Sequence, residues 1–503
     1  MVCPSFTNQI TYDTGSAPLD ITNADFNFDG IQDLAVVNSV DGTISVLLGN
    51  GDGTFGTQTT FAIGMNPAGI THADFNGDGI PDLAATNRDD GSVSVLLGIG
   101  NGTFGTQTTF AVGNNPFLLT SADFNLNGTK DLAVTNFNDA TLSVLLGNGD
   151  GTFGTQTTFA VGNSPRGIQS ADFNFDGIPD LAVVNSVDGT VSVLLGNGDG
   201  TFGTQTTFAV GMNPAGMTIA DFNGDGIQDL AVTNVDDATL SVLLGYGDGT
   251  FGTQTTFAVG NVPFGIIHND FNCDGFTDVA VANNDGESVS ILLGNGDGSF
   301  QTQTTFAVGS LPFALTSADF NGDGTPDLAS ANFDEDTISI LLNSCVNPLT
   351  CSDQILNNDK GTCKATVPLP NSQQCPNVTI TCDPAEVTVG LPTTITCTAT
   401  SDLDATNMET CTFTVTVNDI DPPLLYGLND MDIDATNSFG AFVTYPTPTA
   451  IDNCPGTLTV TCSPASGSFF PIGVTTVTCT ANDTNGNTVT GTFTIAVIPL
   501  EEE

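Results

Sequence analysis

The segment Asp25-Phe-Asn-Phe-Asp-Gly-Ile-Gln-Asp33 returns six more times, beginning at Asp74, Asp123, Asp172, Asp221, Asp270 and Asp319, and every interval is 49 residues. A period of that length, built from short apolar stretches, predicts a β-propeller with one four-stranded blade per repeat. Within residues 165–210 the pattern predicts an inner strand from Gly167 to Phe173, a second from Leu181 to Asn185, and an alternating third from Thr190 to Leu195. Gly196-Asn-Gly-Asp-Gly200 reads as a hairpin turn whose glycines supply positive φ, and Phe202 to Val210 as a Thr-rich, exposed outer strand. No segment carries a sustained helical period.

The ring should close through its N-terminus. Phe6-Thr-Asn-Gln-Ile-Thr-Tyr-Asp13 matches the outer strand of a unit but precedes the first loop, while the last unit stops after Thr337-Ile-Ser-Ile-Leu-Leu342. The N-terminal strand is therefore expected to complete the seventh blade. Repeat alignment puts Cys3 and Cys345 at adjacent hairpin positions, so a Cys3–Cys345 disulfide is expected to replace the missing turn; the alternative pairs Cys345 with Cys351.

Each repeated loop has the form D-x-N-x-D-G-x-x-D. Ca²⁺ is a hard cation that takes six to eight oxygens, and positions 1, 3, 5 and 9 with the carbonyl of position 7 can wrap one ion, Gly at 6 allowing the sharp turn. The expected ligand sets are Asp25, Asn27, Asp29, Ile31 and Asp33; Asp74, Asn76, Asp78, Ile80 and Asp82; Asp123, Asn125, Asn127, Thr129 and Asp131; and Asp172, Asn174, Asp176, Ile178 and Asp180. The last three are Asp221, Asn223, Asp225, Ile227 and Asp229; Asp270, Asn272, Asp274, Phe276 and Asp278; and Asp319, Asn321, Asp323, Thr325 and Asp327. An EF-hand is excluded, because no Glu stands at position 12 and the flanks read as strands. About seven structural Ca²⁺ ions are thus expected, the third site weakest because Asn127 removes a charge. Asp52, Asp150, Asp199, Asp248 and Asp297, in Gly-Asp-Gly tips, read as turn residues, and Cys273 as a free thiol.

The charge agrees with bound cations. Five Lys+Arg stand against 56 Asp+Glu, a formal net charge of −51 over 503 residues. Such a chain repels phosphate backbones and anionic headgroups, which argues against nucleic-acid and simple membrane-surface partners. Yet 39% hydrophobic residues and 34 Phe call for packed cores rather than disorder. No apolar run is long enough to span a membrane. Met1-Val2-Cys3-Pro4 shows no secretion signal, so the expectation is a signal already removed or a piece of a longer chain.

The loop, the Ser-Val-Leu-Leu-Gly strand after it and the Gly-Asp-Gly-Thr-Phe turn together resemble the FG-GAP/VCBS repeat, over about residues 5–345. That family forms the propeller of integrin α chains and of many secreted bacterial proteins. The resemblance implies Ca²⁺ held between the first two strands of each blade.

Past Asn343 the period ends, and nine Cys lie between Cys351 and Cys479. Clustered Cys in a His-poor, strand-rich segment implies disulfides and an oxidising compartment. Cys375-Pro-Asn-Val-Thr-Ile-Thr-Cys382 through Cys397 parallels Cys454-Pro-Gly-Thr-Leu-Thr-Val-Thr-Cys462 through Cys479, and both stretches run into alternating strands. Ile451-Asp-Asn-Cys454 and Pro471-Ile-Gly-Val-Thr-Thr-Val-Thr-Cys479 resemble the HYR (hyalin repeat) module, whose carriers are extracellular and adhesion-associated. The expected fold class is all-β: a seven-bladed propeller over 1–345 and two Ig-like β-sandwich domains over 346–420 and 421–503. Cys351 and Cys363 are expected to bridge a hairpin and Cys397 and Cys411 to bond across strands. The second module has Gly491 in place of Cys411, which leaves one of its three Cys unpaired.

Catalysis is disfavoured. His72 and His268 occupy equivalent surface positions, and no blade stands out from the near-verbatim Gly-Thr-Gln-Thr-Thr-Phe-Ala repeat to form a funnel of unlike polar groups. The expected function is non-enzymatic and extracellular or cell-surface: adhesion, or a structural subunit of a surface fibre. A lectin-like propeller is the alternative, and a secreted propeller enzyme a more remote one. Partners would be extracellular proteins, glycans or further copies of the chain.

Overall fold

The computed structural model describes residues 4–344, 349–370, 378–401 and 408–500. They fall into two compact units, one within Met1–Asn347, Gln373–Val378 and Ser401–Asn407 and the other within Pro348–Ser372, Thr379–Thr400 and Met408–Glu503.

The first unit is seven antiparallel four-stranded sheets. In the first blade the strands are Pro18–Ala24, Asp33–Asn38, Thr43–Leu47 and Thr59–Ala62. The second strand, Asp-Leu-Ala-Val-Val-Asn, is buried along its whole length because neighbouring blades cover both its faces, which is why it reads as a continuous apolar run. The outer strand is shorter than its sequence suggests. In the fourth blade it spans only Thr206–Ala209, and Phe202 stands apart in a bridge to Gly196.

Phe202 stands apart because it belongs to the interface between blades. There it packs edge-on against Phe124 and Phe159 of the preceding blade, with ring centroids 5.4 Å away in both cases. The same triad recurs around the ring, as in Phe26, Phe61 and Phe104. Edge-to-face pairs add about 0.5–1.5 kcal/mol each beyond burial. The tip glycine beside each triad permits the approach. Gly102 donates its N–H to Phe26 O at 2.9 Å, and a Cβ there would lie 2.7 Å from Leu48 at φ +77°.

Closure uses the N-terminal strand. Ile10–Asp13 pairs antiparallel with Thr337–Leu341, Ile10 opposite Ile340. Phe6 takes the triad position against Phe271 and Phe306, and Tyr12 replaces a Phe against Phe55. Gln9 accepts from Ser339 at 2.5 Å, as Gln58 accepts from Ser45 in the first blade. These Ser, Asn and Gln side chains form one hydrogen-bonded chain in each blade, as where Asn136 donates to Ser143 at 2.8 Å and Ser143 to Gln156 at 2.5 Å. That mutual need accounts for the verbatim Gln-Thr-Thr repeat. The expected Cys3–Cys345 staple lies outside the described residues.

In the second unit, Gln354–Asn357 runs parallel to Met408–Asn418, which is followed in the sheet by Thr393–Ser401 and Val378–Asp383. Lys364–Thr366 pairs with Glu386–Thr388 in a small second sheet. Residues 431–498 repeat the plan: Met431–Asp434 runs parallel to Thr488–Ile498, then come Gly473–Asn482 and Thr459–Ser463, with Gly440–Phe442 on Phe469–Pro471. Alternating Phe493, Ile495 and Val497 face a core with Val477 and Phe470.

The disulfides differ from expectation. Cys351 bonds to Cys411, with Cα atoms 6.0 Å apart, because the parallel pairing of its strand brings it there. Cys363 has crossed to the other sheet and bonds to Cys454, 4.8 Å away. Cys397 and Cys411 are register partners, yet Cys397 bonds to Cys382 on its other flank. Cys462 and Cys479 repeat that bridge, each pair having a Cα separation of 4.0 Å. The second module therefore has no unpaired Cys, since its third bridges to the first module. Cys273 is disulfide-bonded rather than free.

The missing counterpart of Cys351–Cys411 has a packing substitute. By strand register, Leu428 corresponds to Cys351 and Gly491 to Cys411. Leu428 fills the space above Gly491, where a Cβ would meet its Cδ1 at 2.4 Å. The double variant Leu428→Cys/Gly491→Cys is expected to form a disulfide in air, dissolved oxygen taking up its two thiol hydrogen atoms as the intact mass falls by about 2 Da, and to stabilise the module by about 2–3 kcal/mol.

Candidate metal centre

Each acidic loop joins the inner strand of a blade to its second strand, so the seven loops share one end of the ring. In the second loop, Asp74 Oδ1 accepts the N–H of Gly77 at 2.7 Å and Asp74 Oδ2 that of Gly79 at 2.8 Å. Asn76 Oδ1 accepts from Asp78 N at 2.9 Å, and Asp78 Oδ1 from Ile80 N at 2.8 Å. Asp82 is fully buried and ties the loop down, accepting from Phe75 N at 2.9 Å and Gly98 N at 2.7 Å. Gly at position 6 answers a backbone demand: Gly79 has φ +81° with nothing within 4 Å of an added Cβ.

These amide bonds draw carboxylates of like charge toward one another. Burial, then the neighbouring charges of Asp29 and Asp25, push the Asp33 carboxyl up to about 6. Asp82, Asp180 and Asp229 also rise to about 6, Asp278 to about 7 and Asp327 to about 8. Asp131 of the third loop is raised by burial with Asp123 as its one charged neighbour, because Asn127 is neutral. The donor set is all oxygen; Asp74 Oδ1 accepts from both Gly77 N and Asp78 N, whereas Asp74 Oδ2 and Asp78 Oδ1 accept one amide each and keep a lone pair. Such a set suits a hard cation rather than zinc. The three carboxylates of a loop do not all come within 4.8 Å of one another. The one described group that does is Asp419, Asp452 and Cys454, where Cys454 is spent in its disulfide.

A pH dependence follows. The folded pKa values lie above the unfolded value of 3.8, so the folded state holds protons that the unfolded state has released. Without metal, the stability contributed by these groups is present below about pH 4 and is lost as pH rises through about 6 to 8. In calcium-free buffer the thermal midpoint is expected to fall by more than about 5 °C between pH 4.5 and pH 8.

The Gly-Asp-Gly tips are turns, as expected. Asp52 accepts from Thr54 N at 3.0 Å and Thr54 Oγ1 at 2.5 Å, and these bonds hold its pKa down. His72 is half-buried rather than a surface residue, its Nδ1 lying 2.8 Å from Thr22 of the preceding blade; His268 is more exposed and sits 2.7 Å from Thr218. One expectation fails. The inner strands are not alike, for the repeat position of Leu19 holds Ala68, Phe117, Arg166, Ala215, Phe264 and Phe313. Comparing inner rather than outer strands would have exposed this asymmetry.

Seven sheets whose inner strands pack in a closed circle, each with an acidic loop, followed by Ig-like modules, define a β-propeller protein with one acidic loop per blade. Models of the FG-GAP-like repeat match residues 25–85, 74–134, 123–183, 172–232 and 270–330, and a HYR domain model matches 418–497. The repeat matches together span more than half of the sequence, so the chain belongs to the FG-GAP-like repeat family. It is 35% identical over 116 residues to Hyalin of Lytechinus variegatus, an alignment covering 22% of each chain. To Hyalin of Strongylocentrotus purpuratus it is 34% identical over 119 residues, covering 23% of this chain and 10% of that one. The alignments thus span less than a quarter of these relatives. The crystal structure of BBS1N in complex with ARL6DN matches with a TM-score of 0.50 at 12% identity, over 68% of this chain and 98% of that one, a likeness of fold alone. No helix among the described residues is long and apolar enough to cross a membrane.

Proposed function

We propose that the chain is an extracellular, calcium-loaded scaffold with no catalytic role, acting in cell-surface adhesion or as a structural subunit of a surface fibre. The observation that carries this reading is the sevenfold recurrence of one acidic loop around a buried aspartate that is costly to ionise without a cation. Its expected occupants are about seven structural Ca²⁺ ions, the third loop holding its ion most weakly. Four disulfides between described residues, with a further one at Cys273, and the resemblance to hyalin support an oxidising, extracellular setting. The HYR-type modules support an adhesive role, with extracellular proteins, glycans or further copies as partners.

Electron microscopy of native material, with and without Ca²⁺, tests the two forms of the proposal. Ordered fibres that disperse on chelation support the structural subunit. Monodisperse particles that coat cells or matrix only with Ca²⁺ support the adhesin. Particles that do neither contradict both.

A further inference from the structure

The inner strands of all seven blades enclose a cavity of about 270 Å³, and its wall breaks the repeat. Arg166 of the fourth blade lines it, with Phe117, Phe264 and Phe313 at the same repeat position. These residues open the inner strands, so they stand at the end of the channel opposite the acidic loops. The guanidinium carbon of Arg166 lies 6.0 Å from the Phe117 ring centre, 5.6 Å from Phe137 and 5.8 Å from Phe264.

Arg166 Nε and Nη1 are buried without a hydrogen-bond partner. An arginine donor left so costs stability, because water has been removed and nothing replaces it. The acid whose charge reaches it, Asp236, is engaged by Asn213 at 3.1 Å. The only other arginine, Arg88, packs 5.4 Å from the same Phe117 ring, and its charge disfavours that of Arg166. Both arginines of a chain with net charge −51 thus converge on one aromatic ring.

We propose that this end of the channel binds a carboxylate carried on a compact ring, the carboxylate meeting the Arg166 guanidinium and the ring lying against Phe117 and Phe264. A planar guanidinium matches a planar carboxylate, and aromatic walls match the apolar face of a ring. A single lining arginine favours a monoanion. The lining acid Asp20, held by Ile21 N at 3.0 Å and Ile70 N at 2.9 Å, is pushed by burial up to about 7 and would oppose a more highly charged ligand. The site goes beyond the calcium loops and needs none of their ions.

The test is fluorine NMR on the full calcium-loaded chain with 4-fluorobenzoate, with 4-fluorobenzamide as neutral twin and inorganic phosphate as competitor. The benzoate signal is expected to broaden, the benzamide signal to stay sharp, and phosphate to displace nothing. Arg166→Gln is expected to weaken benzoate binding at least tenfold with the melting curve intact. Should that variant fail to fold, Arg166→Lys, which keeps the charge without the planar fork, is expected to weaken it at least threefold. Equal binding of the benzamide, displacement by phosphate, or unchanged affinity in the folded arginine variant would overturn the proposal.

Discussion

Removing Ca²⁺ is expected to lower the thermal midpoint of the propeller by more than about 15 °C. An ion that binds only the folded state, present at a hundred times its dissociation constant, contributes about 2.7 kcal/mol, and seven sites act together. The loops explain the size of the effect. Asp33 and its six equivalents are fully buried and anchor each loop through two amides, while position 1, and in every loop but the third position 5, brings further negative charge beside them. A cation neutralises that charge in loops that, the third with its Lys130 excepted, carry no basic residue of their own. Differential scanning calorimetry before and after calcium removal checks this. Re-addition of Ca²⁺ should restore the midpoint, whereas Mg²⁺ should restore less, since it demands octahedral geometry and keeps its waters. An unchanged midpoint would mean that amide bonds alone suffice to hold the loops.

The second large effect is expected from Cys363→Ser/Cys454→Ser. This bridge spans 91 residues and ties the first module to the second. Closing a loop of that length contributes about 4.6 kcal/mol in the chain-entropy account. The junction beside it is polar and shared: Asn453 Nδ2 donates to Thr362 O at 2.7 Å, and Asp421 Oδ2 accepts from Gly361 N at 2.6 Å and Asn358 Nδ2 at 3.1 Å. Asp419 accepts from Asn485 at 3.0 Å, so the linker between the modules is held from both sides. Without the disulfide, the transition of this unit should fall by about 10 °C. Limited proteolysis should then cut between Asp419 and Pro423. Resistance equal to that of the parent chain would show that the hydrogen bonds alone fasten the junction.

Much of the propeller was legible in the sequence because one blade specifies the rest. The 49-residue interval carries the strand plan, and Phe6, Gln9 and Tyr12 fit their places in the seventh blade because that blade needs the same aromatic and amide contacts as the others. What escaped was long-range or specific to one blade. Cys363 and Cys454 are joined by a fold-back between modules that leaves no local trace. Cys382–Cys397 had a trace that spacing alone concealed: Cys462 and Cys479 recur at the matching register, whereas Cys411 does not recur. The second role of the position-9 aspartate, gripping the start of the hairpin through Gly49 N, depends on a contact 16 residues away. Arg166 was visible as a rare cation, but only the ring places it beside Phe264, two blades on.

If the seven loops are calcium sites, native mass spectrometry should count their ions. About seven Ca²⁺ per chain are predicted, with one lost from Asp33→Asn in the first loop and the third loop emptying first as free Ca²⁺ is lowered. A chain that retains none under saturating Ca²⁺, or whose count is unchanged by Asp33→Asn, would show that the loops are not calcium sites.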